Sequence, residues 1–136
     1  MKNSISDCAR FFFSELKTID LLLVPRVHAG INYIEIGPNV LLGPNVFVAD
    51  HSHEFSDISK PIRGQGATEP GKVIIEEGCW FGHNSVVIAH KGREVRIGRN
   101  SVIGANAVVT KSFPPFSILG GVPAHKLSHS LDRQGN

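Results

Sequence analysis

The stretch IGPNVLLGPNVFVADHSH, residues 36–53, decides how this chain is expected to fold. Written in sixes it reads IGPNVL, LGPNVF and VADHSH, so Ile36, Leu42 and Val48 fall in one column. The spacing returns from residue 75 as IEEGCW, FGHNSV and VIAHKG, and from residue 97 as IGRNSV, IGANAV and VTKSFP. A short repeat sustained over this length indicates a solenoid, in which each unit contacts mainly its neighbours.

The columns of the repeat carry different residue types. All nine hexads begin with an apolar residue, the second column holds Gly five times, the fourth holds Asn five times, and the fifth is small or slight in seven of nine. If each hexad is a short strand and a bend, three hexads form one triangular coil with the first and fifth residues inside. Asn and Gly near the bends tolerate left-handed backbone angles. Stacked coils pair as parallel strands, so we predict an all-β fold, a parallel β-helix.

The repeat also divides the chain into segments. We expect a short N-terminal helical or irregular segment, a β-helix domain with one excursion loop, and a mobile tail; these span 1–20, 21–126 with the loop at 54–74, and 127–136. LLLVPR and VHAGIN at 21–32 are predicted to form an earlier, imperfect coil, and REVR at 93–96 a small bulge. A loop this long in a compact array is typically functional, although a tolerated surface insertion is the alternative.

Charge and cysteine content restrict the function classes. The 14 Lys and Arg residues nearly balance the 12 Asp and Glu, which argues against nucleic acid as the main partner. The two cysteines provide no disulfide framework, so a cytoplasmic location is expected. No segment approaches the roughly 20 apolar residues needed to cross a bilayer, so no integral membrane segment is predicted.

Three stretches resemble a known family: VADHSHEFSDISKPI at 48–62, IIEEGCWFGHNSVVI at 74–88, and RIGRNSVIGANAVVTKSFPPFSILGGVPAHK at 96–126. They look like the hexapeptide-repeat O-acetyltransferases, especially the bacterial enzymes that acetylate surface polysaccharides, with maltose, galactoside and nodulation-factor acetyltransferases as cousins. The resemblance covers about residues 27–126. Known members wind left-handed, against the usual crossover rule, so it implies a left-handed parallel β-helix.

The resemblance implies a reaction and a base. Family members transfer the acetyl group of acetyl-CoA to a hydroxyl, here a sugar hydroxyl in O-antigen or capsule biosynthesis. A histidine takes the hydroxyl proton, for which its pKa near neutral pH is suited. That histidine lies at the root of the excursion loop, and His51 falls on its position. The break in the repeat would then form a pocket around a base held by a rigid coil.

Other site residues follow from the same resemblance. The implied acetyl-CoA contacts, along a groove between subunits of a homotrimer, are His83, Ala105, Thr110, Lys111 and Lys126. His53 and Trp80 are candidates for acceptor binding. Lys126 is named because His125 stands where relatives often carry an arginine or lysine. Asp50 and Glu54 flank the histidine pair and could steer the imidazole tautomer, but chance charge is the favoured interpretation of each.

Three alternatives remain open at this stage. The acceptor could be an amino sugar or an antibiotic, because only the loop distinguishes acceptors. A γ-type carbonic anhydrase would need about three zinc ligands. Four histidines are available, namely His51, His53, His83 and His90. Their spacing does not match that family, so no metal is expected. A non-catalytic β-helix that only assembles with partners would keep the core columns without needing DHSH, Trp80 or VTK.

Overall fold

The structure, a computed structural model, describes residues 32–129 and residue 132. Its elements are β1 (Tyr33–Ile36), β2 (Leu41–Leu42), β3 (Phe47–Ala49), a 3₁₀ turn (Ile62–Gly64), β4 (Lys72–Ile75), β5 (Trp80–Phe81), β6 (Val86–Ile88), β7 (Glu94–Ile97), β8 (Val102–Ile103), β9 (Val108–Val109), β10 (Ser117–Gly120) and β11 (His125–His129). The predictions for 1–20 and for a coil at 21–31 fall outside the described residues.

The strands form three sheets, which are the faces of a prism. The first face is β1-β4-β7, the second β2-β5-β8-β10-β11, and the third β3-β6-β9. All pairs are parallel except β10 with β11. We call the corner where the chain passes from the third to the first face the loop edge, and the corner between the second and third faces the turn edge.

The first column of the repeat fills the prism. Eight of its nine residues are buried, and Ile36 packs partly buried against them. Phe81, the largest, is 0% exposed. Small fifth-column residues such as Cys79, Ser101 and Ala107 are buried beside them, because a narrow prism has room for one bulky side chain per strand. The predicted inward columns are confirmed.

The asparagines and glycines of the repeat serve different structural roles: the asparagines adopt left-handed backbone angles, and the second-column glycines allow close packing of neighbouring coils. All five fourth-column asparagines have φ between 54° and 60°, as predicted; they are Asn39, Asn45, Asn84, Asn100 and Asn106. The second-column glycines have no positive φ, so the prediction of left-handed angles there is wrong. They lie against the next coil instead: a Cβ on Gly82 would be 2.6 Å from the Ala105 backbone N, and one on Gly98 2.2 Å from Pro115 N. Only a residue without a side chain permits this approach.

The structure corrects two predictions about where the repeat is interrupted: the end of the excursion loop and the bulge at 93–96. Strand β4 begins at Lys72, so the excursion ends earlier than residue 74. REVR is not a bulge, because Glu94–Ile97 is strand β7, in which Val95 is buried and pairs with Val73. The irregular backbone lies just before this strand, where Lys91 and Gly92 have φ values of 55° and 69°. Burial of Val95 sets the register, since a one-residue slip would turn it outward.

Strand β11 closes the C-terminal end of the second face. It runs antiparallel to β10, with Leu119 opposite Lys126 and Ser117 opposite His129. Residues 127–129, predicted to belong to the tail, are therefore part of the second face, where they pair with the backbone groups of β10. Over residues 32–129 and 132, no helix has the length and apolarity to span a membrane.

Candidate functional site

The excursion loop leaves and returns at the loop edge as a closed hairpin. The Glu54 N–H donates to Gly66 O at 3.0 Å, and the Thr68 N–H donates to Ser52 O at 2.8 Å. Gln65 crosses the loop: its Oε1 accepts from the Asp57 N–H at 3.0 Å and its Nε2 donates to Asp57 O at 2.9 Å. These hydrogen bonds fix the two ends of the loop relative to each other, so the loop root has a defined geometry.

His51 stands at that root, two residues after strand β3. Its side chain is 31% exposed, and its Nδ1 lies 2.9 Å from Asp50 Oδ1. No hydrogen-bond partner of Nε2 is found within residues 32–129. One ring nitrogen is therefore engaged with the protein while the other can meet a substrate.

Asp50, for which the sequence interpretation favoured chance charge, is the acid that contacts His51. Its side chain is 0% exposed. Oδ2 accepts from the N–H groups of Asn32 at 2.6 Å and Tyr33 at 2.9 Å, and the backbone oxygen accepts from Gly71 N at 2.6 Å. A fully buried carboxylate with directed donors is not a chance surface charge. The available signal was its position, directly before the histidine where a buried strand leaves the core.

Glu54, on the other side of the histidine pair, serves the loop. Its Oε1 accepts from the N–H groups of Phe55 at 2.9 Å and Ser56 at 3.0 Å. Hydrogen bonds from Ser56 and Phe55 hold the pKa of Glu54 below its ordinary value. No hydrogen bond or ion pair joins Glu54 to His51 within residues 32–129, so of the two flanking acids only Asp50 is bonded to the imidazole.

The loop edge brings several predicted site residues into one column. His51 belongs to the first coil, His90 occupies the same hexad position in the second, and Thr110 and Lys111 follow in the third. Neighbouring coils are spaced by about 4.8 Å, so His51 and Lys111 are separated by about 10 Å along the axis. Thr110 and Lys111 are exposed there.

The turn edge and second face hold the remaining candidates. His83 and Ala105 are exposed on the turn edge, and Trp80 is 51% exposed on the second face between Leu41 and Val102. Lys126 is exposed on β11, and His53 is exposed two residues after His51, in a bridge with Ala67. The third face separates His51 from His83 and Ala105. One chain therefore does not bring the predicted base and all the predicted donor contacts together.

The histidines are divided in the same way. His51, His53 and His90 lie on the loop edge, whereas His83 lies on the turn edge. Across residues 32–129 and 132, no three His, Cys, Asp or Glu side chains are grouped so that they could hold a metal ion.

Comparison with known proteins identifies relatives over most of the described chain. The family profile described as hexapeptide repeat of succinyl-transferase matches residues 72–111. The galactoside O-acetyltransferase of Lactococcus lactis is 40% identical over 90 residues, which are 66% of this chain and 40% of that protein. A putative lipopolysaccharide biosynthesis O-acetyl transferase of Escherichia coli K12 is 32% identical over 102 residues, 71% of this chain and 50% of that protein.

The fold comparison agrees. A galactoside acetyltransferase solved in complex with coenzyme A superimposes with a TM-score of 0.63 at 34% identity, covering 74% of this chain and 47% of that one. The predicted all-β, left-handed parallel β-helix of hexapeptide repeats is confirmed. The chain spans about half the length, or less, of the curated relatives it matches.

Proposed function

We propose that this chain, whose repeat and fold are similar to those of hexapeptide-repeat acetyltransferases, transfers the acetyl group of acetyl-CoA to a sugar hydroxyl. The observation that carries the proposal is the partly exposed imidazole of His51 at the loop root, with Nδ1 held by Asp50 and Nε2 unengaged within the described residues. An imidazole held at one nitrogen and accessible at the other has the geometry of a general base.

The proposed chemistry is direct transfer within a ternary complex. Nε2 of His51 takes the proton as the sugar oxygen attacks the thioester carbonyl, because an un-ionised hydroxyl is a poor nucleophile. Backbone N–H groups stabilise the oxyanion of the tetrahedral intermediate. The C–S bond then breaks, and the proton on His51 passes to the leaving sulfur, which departs as the thiol of CoA.

The donor would lie between chains, along the two edges that flank the third face. We assign acetyl-CoA contacts to His83 and Ala105 from one copy and to Thr110 and Lys111 from the next. Thr110 can donate a hydrogen bond and Lys111 adds a positive charge for a phosphate. Lys126, exposed on β11, is the proposed further phosphate contact.

A homotrimer would join these halves, and the outward rows of the three faces support it. The first face presents Glu35, Ile74 and Arg96, with Arg96 paired to Glu76 at 3.3 Å and to Glu94 at 3.1 Å. The third face presents the apolar row Phe47, Val86 and Val108. If three copies turn the third face to a common axis, the turn edge of one copy meets the loop edge of the next.

A charge on the third face is expected to break this assembly. Val86→Glu would bury a carboxylate at the proposed interface, so light scattering after gel filtration should show a shift from three chain masses towards one. Ile74→Glu is the matched control, because Ile74 is partly exposed on the middle strand of the charged first face, as Val86 is on the middle strand of the third face. This substitution should leave the mass unchanged. Equal behaviour of the two variants would contradict the proposed interface.

For the acceptor we propose a sugar of a surface polysaccharide or its precursor, processed in the cytoplasm. The lipopolysaccharide relative supports this class. Trp80, half exposed, offers a flat apolar surface on which a sugar ring can stack, and His53 lies beside the proposed base. Cys79 is a free, buried thiol, in keeping with a reducing compartment.

The proposal is tested by measuring thiol release from acetyl-CoA across a panel of galactosides and polysaccharide-precursor sugars. We expect release only in the presence of an accepted sugar, together with an acetyl ester on that sugar by NMR. Thiol release that no sugar stimulates, from a protein that binds acetyl-CoA, would contradict sugar O-acetylation. Acetylation of an amine instead of a hydroxyl would favour the amino-sugar alternative.

A further inference from the structure

Both oxygens of the buried Asp50 carboxylate, beside His51, have hydrogen-bond partners. Its Oδ1 faces His51 Nδ1 at 2.9 Å, and its Oδ2 accepts from the N–H groups of Asn32 and Tyr33 at the start of β1. These partners come from two stretches of chain that are separated by 17 residues or more. The carboxylate therefore has a fixed orientation before any substrate arrives.

We infer that Asp50 is a positioning residue: it selects the tautomer of His51 in which Nδ1 carries the hydrogen and Nε2 is the base. The inference rests on the proposed function of His51 and goes beyond it, because it names the group that makes the imidazole competent. An ionised carboxylate is an acceptor only, so it requires the hydrogen to be on Nδ1. In neutral imidazole the other nitrogen then has the free electron pair.

The same carboxylate would stabilise the reacting state. When Nε2 takes the acceptor proton, the ring becomes a cation that is already in contact with a buried, oriented negative group. Such a pair costs little reorganisation at the moment of reaction. Two further hydrogen bonds join the same segments: the Asn32 side chain donates to Gly71 O at 2.8 Å, and Gly71 N donates to Asp50 O. Strand β1, the loop return and the base are thereby held in one network.

The kinetic test is Asp50→Asn. The asparagine oxygen can still accept from the two backbone N–H groups, but its NH₂ then faces His51 Nδ1 and requires the opposite tautomer. We expect kcat to fall by about 10²–10⁴, the upper limit being the effect of the equivalent change in serine proteases. KM for acetyl-CoA should change by less than about threefold, because the lost interaction matters mainly in the transition state.

Glu54→Gln is the matched control. It also neutralises one carboxylate beside the histidine pair, and its amide oxygen can keep the bonds to Phe55 and Ser56. Glu54 has no hydrogen bond or ion pair with His51 within residues 32–129. We expect its kcat to match that of the unaltered protein. If Asp50→Asn also matched it, the inference about Asp50 would be overturned, although His51 would remain the proposed base.

A second measurement is independent of turnover. In protein labelled with ¹⁵N-histidine at alkaline pH, the ring nitrogen shifts of His51 should show hydrogen on Nδ1 and none on Nε2. The signals are assigned by their loss in His51→Gln, and Asp50→Asn should reverse the pattern. A hydrogen on Nε2 in the unaltered protein would overturn the inference even if Asp50→Asn failed to fold. Normal turnover of His51→Gln would instead contradict the proposed function itself.

Discussion

Replacing His51 with alanine is expected to lower kcat for acetyl transfer by at least about 10²–10⁴, the usual contribution of a general base. Without the imidazole, the sugar hydroxyl would have to transfer its proton to water, which is a weaker base. KM for acetyl-CoA should change little, because the proposed donor contacts lie on other coils and on a neighbouring chain. Initial rates of thiol release with a saturating, accepted sugar measure the effect.

His53→Ala separates the two histidines of the pair. His53 is exposed next to the base, and we expect its loss to raise KM for the acceptor while kcat stays within about threefold of the original value. Wild-type turnover by His51→Ala would show that the base is wrongly assigned. An equal loss of kcat in both variants would show that the first imidazole has no distinct role.

Replacing Gly98 with alanine is expected to reduce the free energy of unfolding by about 3 kcal/mol or more, at the upper end of overpacking costs. The added Cβ would lie 2.2 Å from Pro115 N and 2.6 Å from Pro114 C. Both are backbone atoms of the next coil, so no side-chain rotation relieves the clash. Urea unfolding at a fixed protein concentration measures the change, since any assembly makes stability depend on concentration.

Gly64→Ala is the control for that substitution. A Cβ at Gly64 has no heavy atom within 4 Å, and the residue has no positive φ. Alanine there should leave stability within about 1 kcal/mol, towards stabilisation, because it restricts the unfolded chain. Similar effects of the two substitutions would contradict the role given to the second-column glycines.

Much of the fold could be predicted because its repeat is local. Inward-pointing residues of neighbouring strands are six positions apart in the sequence, so spacing alone predicts that Ile75 and Phe81 belong to the core. The asparagines at the bends were predictable for the same reason, since a left-handed residue is a property of one position. The break in the spacing drew attention to His51, and its assignment as the base came from the family resemblance and stays a prediction.

The errors concern contacts between coils. The second-column glycines were assigned to backbone angles, whereas Gly82 and Gly98 are needed for approach to backbone that is 17 to 23 residues away. REVR was taken as a bulge because hexad counting cannot show that Val95 aligns with Val73. Asp50 was dismissed because its donors, at Asn32 and Tyr33, lie in an earlier strand.

The amino-acid sequence by itself determined that this chain winds in threes, which side chains enter the prism, and where the winding is interrupted by a loop carrying two histidines. Only the tertiary structure decided which acid is bonded to the imidazole, which glycines cannot carry a side chain, and that the predicted site residues are divided between two edges and the second face of the prism. The reason is physical. Periodicity specifies the direction of each side chain relative to its own strand, whereas hydrogen bonds and close approaches depend on the register in which distant coils stack.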